Sequence, residues 1–577
     1  MLVWPPLVVL VISEEPKQIH QKVAKSSRYI YGVHRSIKNK NLIMAAYEKN
    51  RGGSSVEDAE MQSLFTDDSP REKKRNFPNQ PIKGLALALL LASIAFIFFS
   101  FSNQSSKWFL FRCQRPYSST AAPSTSAPVT LSNNRPPNSN YTPQKKSITN
   151  ISHILFGIGG SAKTWKDRKH YSELWWKAGI MRGFVWLDED PTSTSTSTST
   201  STTQQSSWPP ASPPYRVSKQ PDSRFNQPAV RIARIVLESF RLGLPNVRWF
   251  VMGDDDTVFF AHNLVSVLSK YDHRQMYYVG GNSESVEQDV MHSYGMAFGG
   301  GGFAISYALA AELHNKLDGC IGRYSNLYGS DERIMACLSE IGVPLTPELG
   351  FHQVDIREDP YGLLAAHPLA PLVSLHHLDA VNPLFPTKTQ LESLKKLISA
   401  YEADPGRTLQ QSFCHDHKRN WSVSLSWAYT VQIYPYLMSA RDLGIAFRTF
   451  KTWRSWSDGP FTFNTRPISA DPCVRPLVYF LDHVTNKKNN NNNNNNNDHE
   501  TLSTYRRHVA DSSKFCERKD YHAALAVNVV NVTAPKMERD EWEKAPRRQC
   551  CEILNGNSSS DGADQPRVLH IKISRCE

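Results

Sequence analysis

No two of the nine cysteines in this 577-residue chain stand at zinc-finger spacing, so a finger or ribbon protein is excluded. A nucleic-acid-binding motif is lacking too. The formal charge of +12 comes from basic residues dispersed along the sequence, and dispersed charge does not build a nucleic-acid site. Residues 1–12 are apolar but have no basic segment ahead of them, and Glu14 and Glu15 follow at once, which is a poor secretory leader. Translation starting at Met44 or Met61 would account for this; peptides from residues 13–43 in a mass spectrum would refute it. Between Gly84 and Ser106 charge is absent altogether. No polar stripe interrupts this run, unlike a core helix, and its length suits a bilayer span. Arg71, Lys73, Lys74, Arg75 and Lys83 precede it and Lys107, Arg112 and Arg115 follow, a modest bias toward a cytoplasmic N-terminus.

The expected layout is therefore a disordered cytoplasmic tail over 1–83, a single-pass type II anchor over 84–106, and a lumenal remainder. Six Asn-x-Ser/Thr triplets, at Asn103, Asn140, Asn150, Asn420, Asn531 and Asn557, agree with that placement. Eight of the nine cysteines lie beyond residue 300, where an oxidising lumen would permit disulfides. Their pairing is not legible, although adjacent Cys550 and Cys551 should reach separate partners. Residues 107–148 are rich in Ser, Thr, Pro and Asn and read as a stem.

Order begins near Ile151. Apolar runs at Ile151–Gly160 and Gly183–Leu187 predict strands, and Trp165–Trp176 and Val230–Leu242 predict helices. The Thr-Ser repeat from Pro191 to Thr203 can bury no core and reads as a surface insertion, as does the asparagine run 489–497. Strands continue to alternate with helices as far as about residue 404, which predicts an α/β sandwich over 149–404. After residue 405 the pattern changes. Trp421–Tyr434 alternates polar and apolar residues, and 405–577 reads as a β-rich appendage.

Four groups of residues carry chemistry. The first is Asp254-Asp255-Asp256, entered by the apolar strand Trp249–Gly253 and left by apolar Val258–Phe260. Three adjacent carboxylates between apolar walls are costly unless a cation or bound protons offset them. Their hard oxygens suit Mg²⁺ or Mn²⁺. The same string fits a haloacid-dehalogenase-type phosphatase with Asp254 as nucleophile and Asp256 as acid, but no convincing downstream Gly-Asp-x-x-x-Asp accompanies it. The second group is the glycine run 299–302, which permits close backbone approach or positive φ. The third is Asp331-Glu332 at a helix start, either a favourable charge on the dipole or a general base. The fourth is His376-His377, structural or a completing metal ligand.

The order of these groups resembles the fringe and core-1 β1,3-galactosyltransferase superfamily, most closely the plant fringe-related proteins. Phe156-Gly-Ile-Gly-Gly, Leu174-Trp-Trp-Lys, Met181–Asp188, Arg248–Phe259, Ser293–Ser306, Leu363-Leu-Ala-Ala-His-Pro, Phe463–Pro467 and Ala545–Cys551 carry the likeness. The resemblance implies a GT-A (Rossmann-like) catalytic domain and an inverting transfer, of a β1,3 hexosyl type, from a UDP-sugar to a glycan or glycoprotein acceptor in the Golgi. It implies Mn²⁺ (or Mg²⁺) on Asp254 and Asp256 with one of His376 and His377. Asp188, Asp254, Asp255 and Gly300 to Gly302 would contact the donor. Asp331 or Glu332 would be the base, with Asp331 slightly favoured. Many relatives have two aspartates there, so Glu332 leaves room for an alternative: a catalytically silent glycan-binding or scaffolding protein with the same fold.

Overall fold

The computed structural model describes residues 148–191, 208–218, 228–487, 500–509, 516–554 and 567–576. The expected tail, the anchor 84–106, all but the last residue of the stem, the Thr-Ser repeat after Pro191 and the asparagine run lie outside them. Among the described residues no helix is long and apolar enough to cross a membrane. All described residues fall within one unit, Pro137–Glu577.

A seven-stranded sheet organises the first part. Its strands are β1 (Ile154–Gly159), β2 (Arg182–Leu187), β3 (Tyr215–Val217), β4 (Trp249–Asp254), β5 (Tyr278–Gly280), β6 (Phe303–Ser306) and β7 (Leu345–Pro347). Their spatial order is β3-β2-β1-β4-β6-β5-β7. β1 to β4 run parallel, whereas β6 is antiparallel to both β4 and β5. Period-two alternation sorts side chains to the two faces. Ile154, Phe156, Ile158, Trp249 and Val251 enter one core, while Leu155, Phe250 and Met252 enter the other. Central parallel strands buried on both faces read as unbroken apolar runs, which is how β1 and β4 look in the sequence.

Among the described residues ten helices accompany this part: α1 (Trp165–Trp175), α2 (Pro228–Ala233), α3 (Ile235–Arg241), α4 (Ala261–Leu268), α5 (Val286–Met291), α6 (Tyr307–His314), α7 (Leu317–Arg323), α8 (Ser330–Ile341), α9 (Tyr361–Ala365) and α10 (Gln390–Ala403). The single helix expected over 230–242 is broken at Arg234 into α2 and α3. Cys320 in α7 is bonded to Cys337 in α8.

The second part is an eight-stranded sheet of β8 (Gln411–Asp416), β9 (Trp421–Ser426), β10 (Thr430–Tyr434), β11 (Leu477–Lys487), β12 (Glu500–Arg507), β13 (Val527–Pro535), β14 (Cys550–Leu554) and β15 (Arg567–Ser574). It is ordered β8-β9-β10-β11-β12-β13-β15-β14. The Cys414–Cys551 disulfide joins its two edge strands, β8 and β14. Cys550 bonds Cys576 and Cys473 bonds Cys516, so the two adjacent cysteines do reach separate partners. Lys487 and Glu500 are register partners, so the asparagine run joins the two strands of a hairpin. The alternation over Trp421–Tyr434 proves to be a hairpin, β9 and β10, buried throughout rather than one half-buried strand. Its polar positions find partners inside: the Ser426 hydroxyl donates to the Leu364 carbonyl of α9 at 3.1 Å. A satisfied hydroxyl can be buried, and the pattern alone does not reveal that.

Candidate active site

β1 and β4 are parallel neighbours, and β2 lies on the far side of β1. Strand order therefore reverses at the β1–β4 crevice, where open α/β sheets bind ligands at the carboxyl ends. The acidic triplet emerges there. Asp254 ends β4, while Asp255 and Asp256 follow at 3% and 5% exposure. The Asp254 amide donates to Thr257 Oγ1 at 2.8 Å, and the Thr257 hydroxyl donates to the Gly300 carbonyl at 2.7 Å. One threonine thus clamps the acidic turn to the glycine turn. Gly302 takes φ +84° and closes that turn by donating to the Gly299 carbonyl at 3.0 Å. The Gly301 amide donates to Gln353 Oε1, and its carbonyl accepts from Ser374 Oγ.

Directly after the triplet, Val258–Phe259 pairs with Ser374–Leu375, and Leu375 stands opposite Val258. That register returns the next residue, His376, to the carboxylates. Its Nε2 lies 3.0 Å from Asp256 Oδ1 and 3.8 Å from Asp254 Oδ2. One ligand atom from each of Asp254, Asp256 and His376 falls within 4.8 Å of the others. His376 reaches this place only because residue 300 is glycine, since a Cβ there would stand 2.0 Å from its ring.

The three carboxylates differ in how readily they ionise. Burial pushes Asp254 up to about 7 and Asp255 up to about 6. Burial also opposes ionisation of Asp256, but the His376 imidazolium and the Arg168 guanidinium outweigh it and hold this group below the usual range. His376 in turn is pushed up to about 9, because the charge of Asp256 overcomes its burial. His376 Nδ1 is buried without a hydrogen bond, and Asp256 Oδ1 has only the His376 ring beside it. Two carboxylate oxygens and one imidazole nitrogen, incompletely satisfied, form a donor set that fits Mn²⁺ or Mg²⁺.

His377 does not join this group. It adopts φ +49°, faces Asp355 Oδ1 with Nδ1 at 3.0 Å, and stacks on Trp453 at a centroid distance of 4.1 Å. Of the two expected histidines, the structure brings only His376 to the triplet.

The acidic pair also divides. Glu332 accepts from the amide of Gly329, the residue just before α8, at 2.8 Å, and its other oxygen lies 2.8 Å from His292 Nδ1. The bond to His292 holds its carboxyl below the ordinary range. Asp331 instead accepts from the Gly299 amide at 3.1 Å and lines one cavity together with Asp254 and Gly299. Burial pushes its carboxyl up, toward the range in which it can take and return a proton.

Asp188, expected at the donor, has both oxygens engaged by the loop after β1. It accepts from the Ser161 hydroxyl at 2.9 Å and the Ala162 amide at 2.8 Å. Two arginines complete the electrostatics and were not singled out in the sequence. Arg168 of α1 lies 3.1 Å from Asp255 Oδ1 and 3.4 Å from Asp256 Oδ2. Arg231 of α2 donates to the Trp186 and Gly160 carbonyls, each at 2.9 Å. Neither has a local signal beyond a basic residue on a helix.

Residues 184–359 match the family model described as Fringe-like. Residues 288–551 match one described as Protein of unknown function, DUF604. The first span holds the triplet, the second holds His376, and both include the glycine turn and the Asp331-Glu332 pair. No curated protein matches the chain.

Proposed function

Because the chain belongs to the fringe-like superfamily, a family of glycosyltransferases, we propose that it transfers a hexose from a UDP-sugar to a glycan or glycoprotein acceptor, with inversion and with a divalent metal. The observation that carries this reading is the meeting of Asp254, Asp256 and His376, with Asp254 lining the same cavity as Asp331. Asp254, Asp256 and His376 would hold Mn²⁺ (or Mg²⁺), which when bound offsets the negative charge of the diphosphate leaving group. Arg168 balances Asp255, so the site does not carry an uncompensated charge beside the donor. Gly299 brings bare backbone to the cavity, and its amide orients Asp331. Asp331 takes the proton of the acceptor hydroxyl as its oxygen bonds to the anomeric carbon and the bond to the diphosphate breaks. Glu332 has a different task, holding the start of α8 and His292.

This reading includes a GT-A assignment for the first part, a β1,3 linkage and a Golgi location as a type II protein with this part in the lumen. The sheet order supports the first. Four disulfides support an oxidising compartment. The test is UDP release by the full chain with Mn²⁺ across UDP-sugars. Asp256→Ala should lower transfer at least 100-fold and abolish Mn²⁺-dependent UDP binding. If glycan binding persists in wild type while no donor binds or turns over, the silent glycan-binding alternative is correct instead.

A further inference from the structure

One loop of the second part packs against neighbours of the site. It runs from Thr452 to Gly459. Trp453 lies flat on His377, with ring centroids 4.1 Å apart and planes at 5°, and His377 in turn lies 4.0 Å from the His376 ring. The next two residues contact α5. The Arg454 and Ser455 amides donate to Glu287 Oε1 of α5 at 2.6 Å and 3.2 Å. α5 leads straight into His292, the partner of Glu332 beside Asp331. The loop therefore packs on His377, the neighbour of the metal-side His376, through Trp453, and on the helix that leads to His292 through Glu287.

Its conformation is held from within. Thr452 Oγ1 accepts from the Ser457 amide at 3.0 Å and lies 2.8 Å from Ser455 Oγ, while the Thr452 amide donates to the Ser457 carbonyl at 2.9 Å. At its tip Trp456 takes φ +52° and is 51% exposed. A bulky residue at positive φ is strained, and such strain gathers at working sites. The Arg357 guanidinium sits 3.8 Å from the Trp453 ring centroid and 5.4 Å from that of Trp456, fixing both indoles in one array.

We propose that this loop forms the acceptor subsite and that Trp456 is its platform, on which the apolar face of a neutral hexopyranose stacks. The inference rests on the transferase reading and names its acceptor class. An indole suits that ligand because it offers a large, rigid apolar face at small entropic cost, with an N–H for a sugar hydroxyl. Arg357 already stacks on the array and donates to the Trp453 carbonyl at 3.1 Å, which holds the indoles in place.

The test uses the full chain in detergent and an array of neutral β-linked gluco- and galactopyranosides, probed with and without UDP and Mn²⁺. Wild type should bind at least one member. Trp456→Ala should weaken that binding at least tenfold, Trp456→Phe should stay within threefold, and UDP affinity by calorimetry should be unchanged in both. The proposal is overturned if Trp456→Ala binds glycans as wild type does, or if it loses UDP binding as well, which would make the residue structural. It is also overturned if wild type binds UDP but no member of the array. A wild type that binds glycans through Trp456 without binding UDP would instead overturn the transferase reading and leave the platform standing.

Discussion

Gly300→Ala tests the geometry of the metal site with one methyl group. The added Cβ would lie 2.0 Å from His376 Cε1 and 2.4 Å from each ring nitrogen. Packed carbons sit about 3.5–4.0 Å apart, so the ring must withdraw by about 1.5 Å. It has nowhere to go. His377 stands behind it at 4.0 Å between centroids, and Trp453 backs His377 at 4.1 Å. The glycine turn is equally constrained, because the Gly300 carbonyl is tied to Thr257 and Gly301 to Gln353 and Ser374. Overpacking of this kind costs about 1–3 kcal/mol of stability. Displacing Nε2 from its place 3.0 Å from Asp256 should lower metal affinity by about 10–100-fold, as loss of an orienting partner does. The assay is titration of free Mn²⁺ by electron paramagnetic resonance with UDP present, beside urea unfolding. Gly319→Ala is the control: like Gly300 it has no positive φ, but its Cβ would meet only the flexible Arg323 Nη1 at 3.6 Å, so it adds a methyl without a clash. Mn²⁺ affinity of Gly300→Ala within threefold of wild type would refute the reasoning.

Asp331→Asn should lower kcat by about 10²–10⁴-fold while UDP binding persists, whereas Glu332→Gln should keep most of the rate and lose about 0.5–2 kcal/mol of stability with its cap; equal kinetic losses would contradict this division. The His292–Glu332 pair predicts a pH-dependent stability. His292 is raised above its ordinary 6.5 by the bond to Glu332, so its contribution is full below 6.5 and fades as pH rises through the folded value. Glu332 is lowered from its ordinary 4.5, so its contribution is present above 4.5 and fades on acidification through the folded value. The urea-midpoint difference between wild type and His292→Asn should thus be largest between pH 4.5 and 6.5 and smaller at pH 8.5. Cys551→Ser removes the bond between edge strands β8 and β14, across a separation of 137 residues, and should cost about 2–5 kcal/mol in chemical unfolding.

The strands leading into the site were legible because central strands are continuous apolar runs. Trp249–Gly253 predicted β4 for that reason, and the charges after it marked the carboxyl end. The break between α2 and α3 was not legible, because apolar residues keep helical spacing through Arg234. The hairpin at Trp421–Tyr434 was missed for another reason: its serines look solvent-facing, yet they find buried partners, Ser426 on the Leu364 carbonyl of α9 far away in sequence.

The amino-acid sequence alone determined that three carboxylates stand at a strand end with a glycine turn, an acidic pair and two histidines to follow, because residue type and spacing set local structure and ligand chemistry. Only the tertiary structure decided which of these residues work together. Pairing of Val258 with Leu375 brings His376 to Asp256, while Asp355 and Trp453 hold His377 aside. Capping and His292 engage Glu332, leaving Asp331 on the cavity. Adjacent residues with the same chemistry cannot be told apart by local rules; strand register and neighbours distant in the chain separate them.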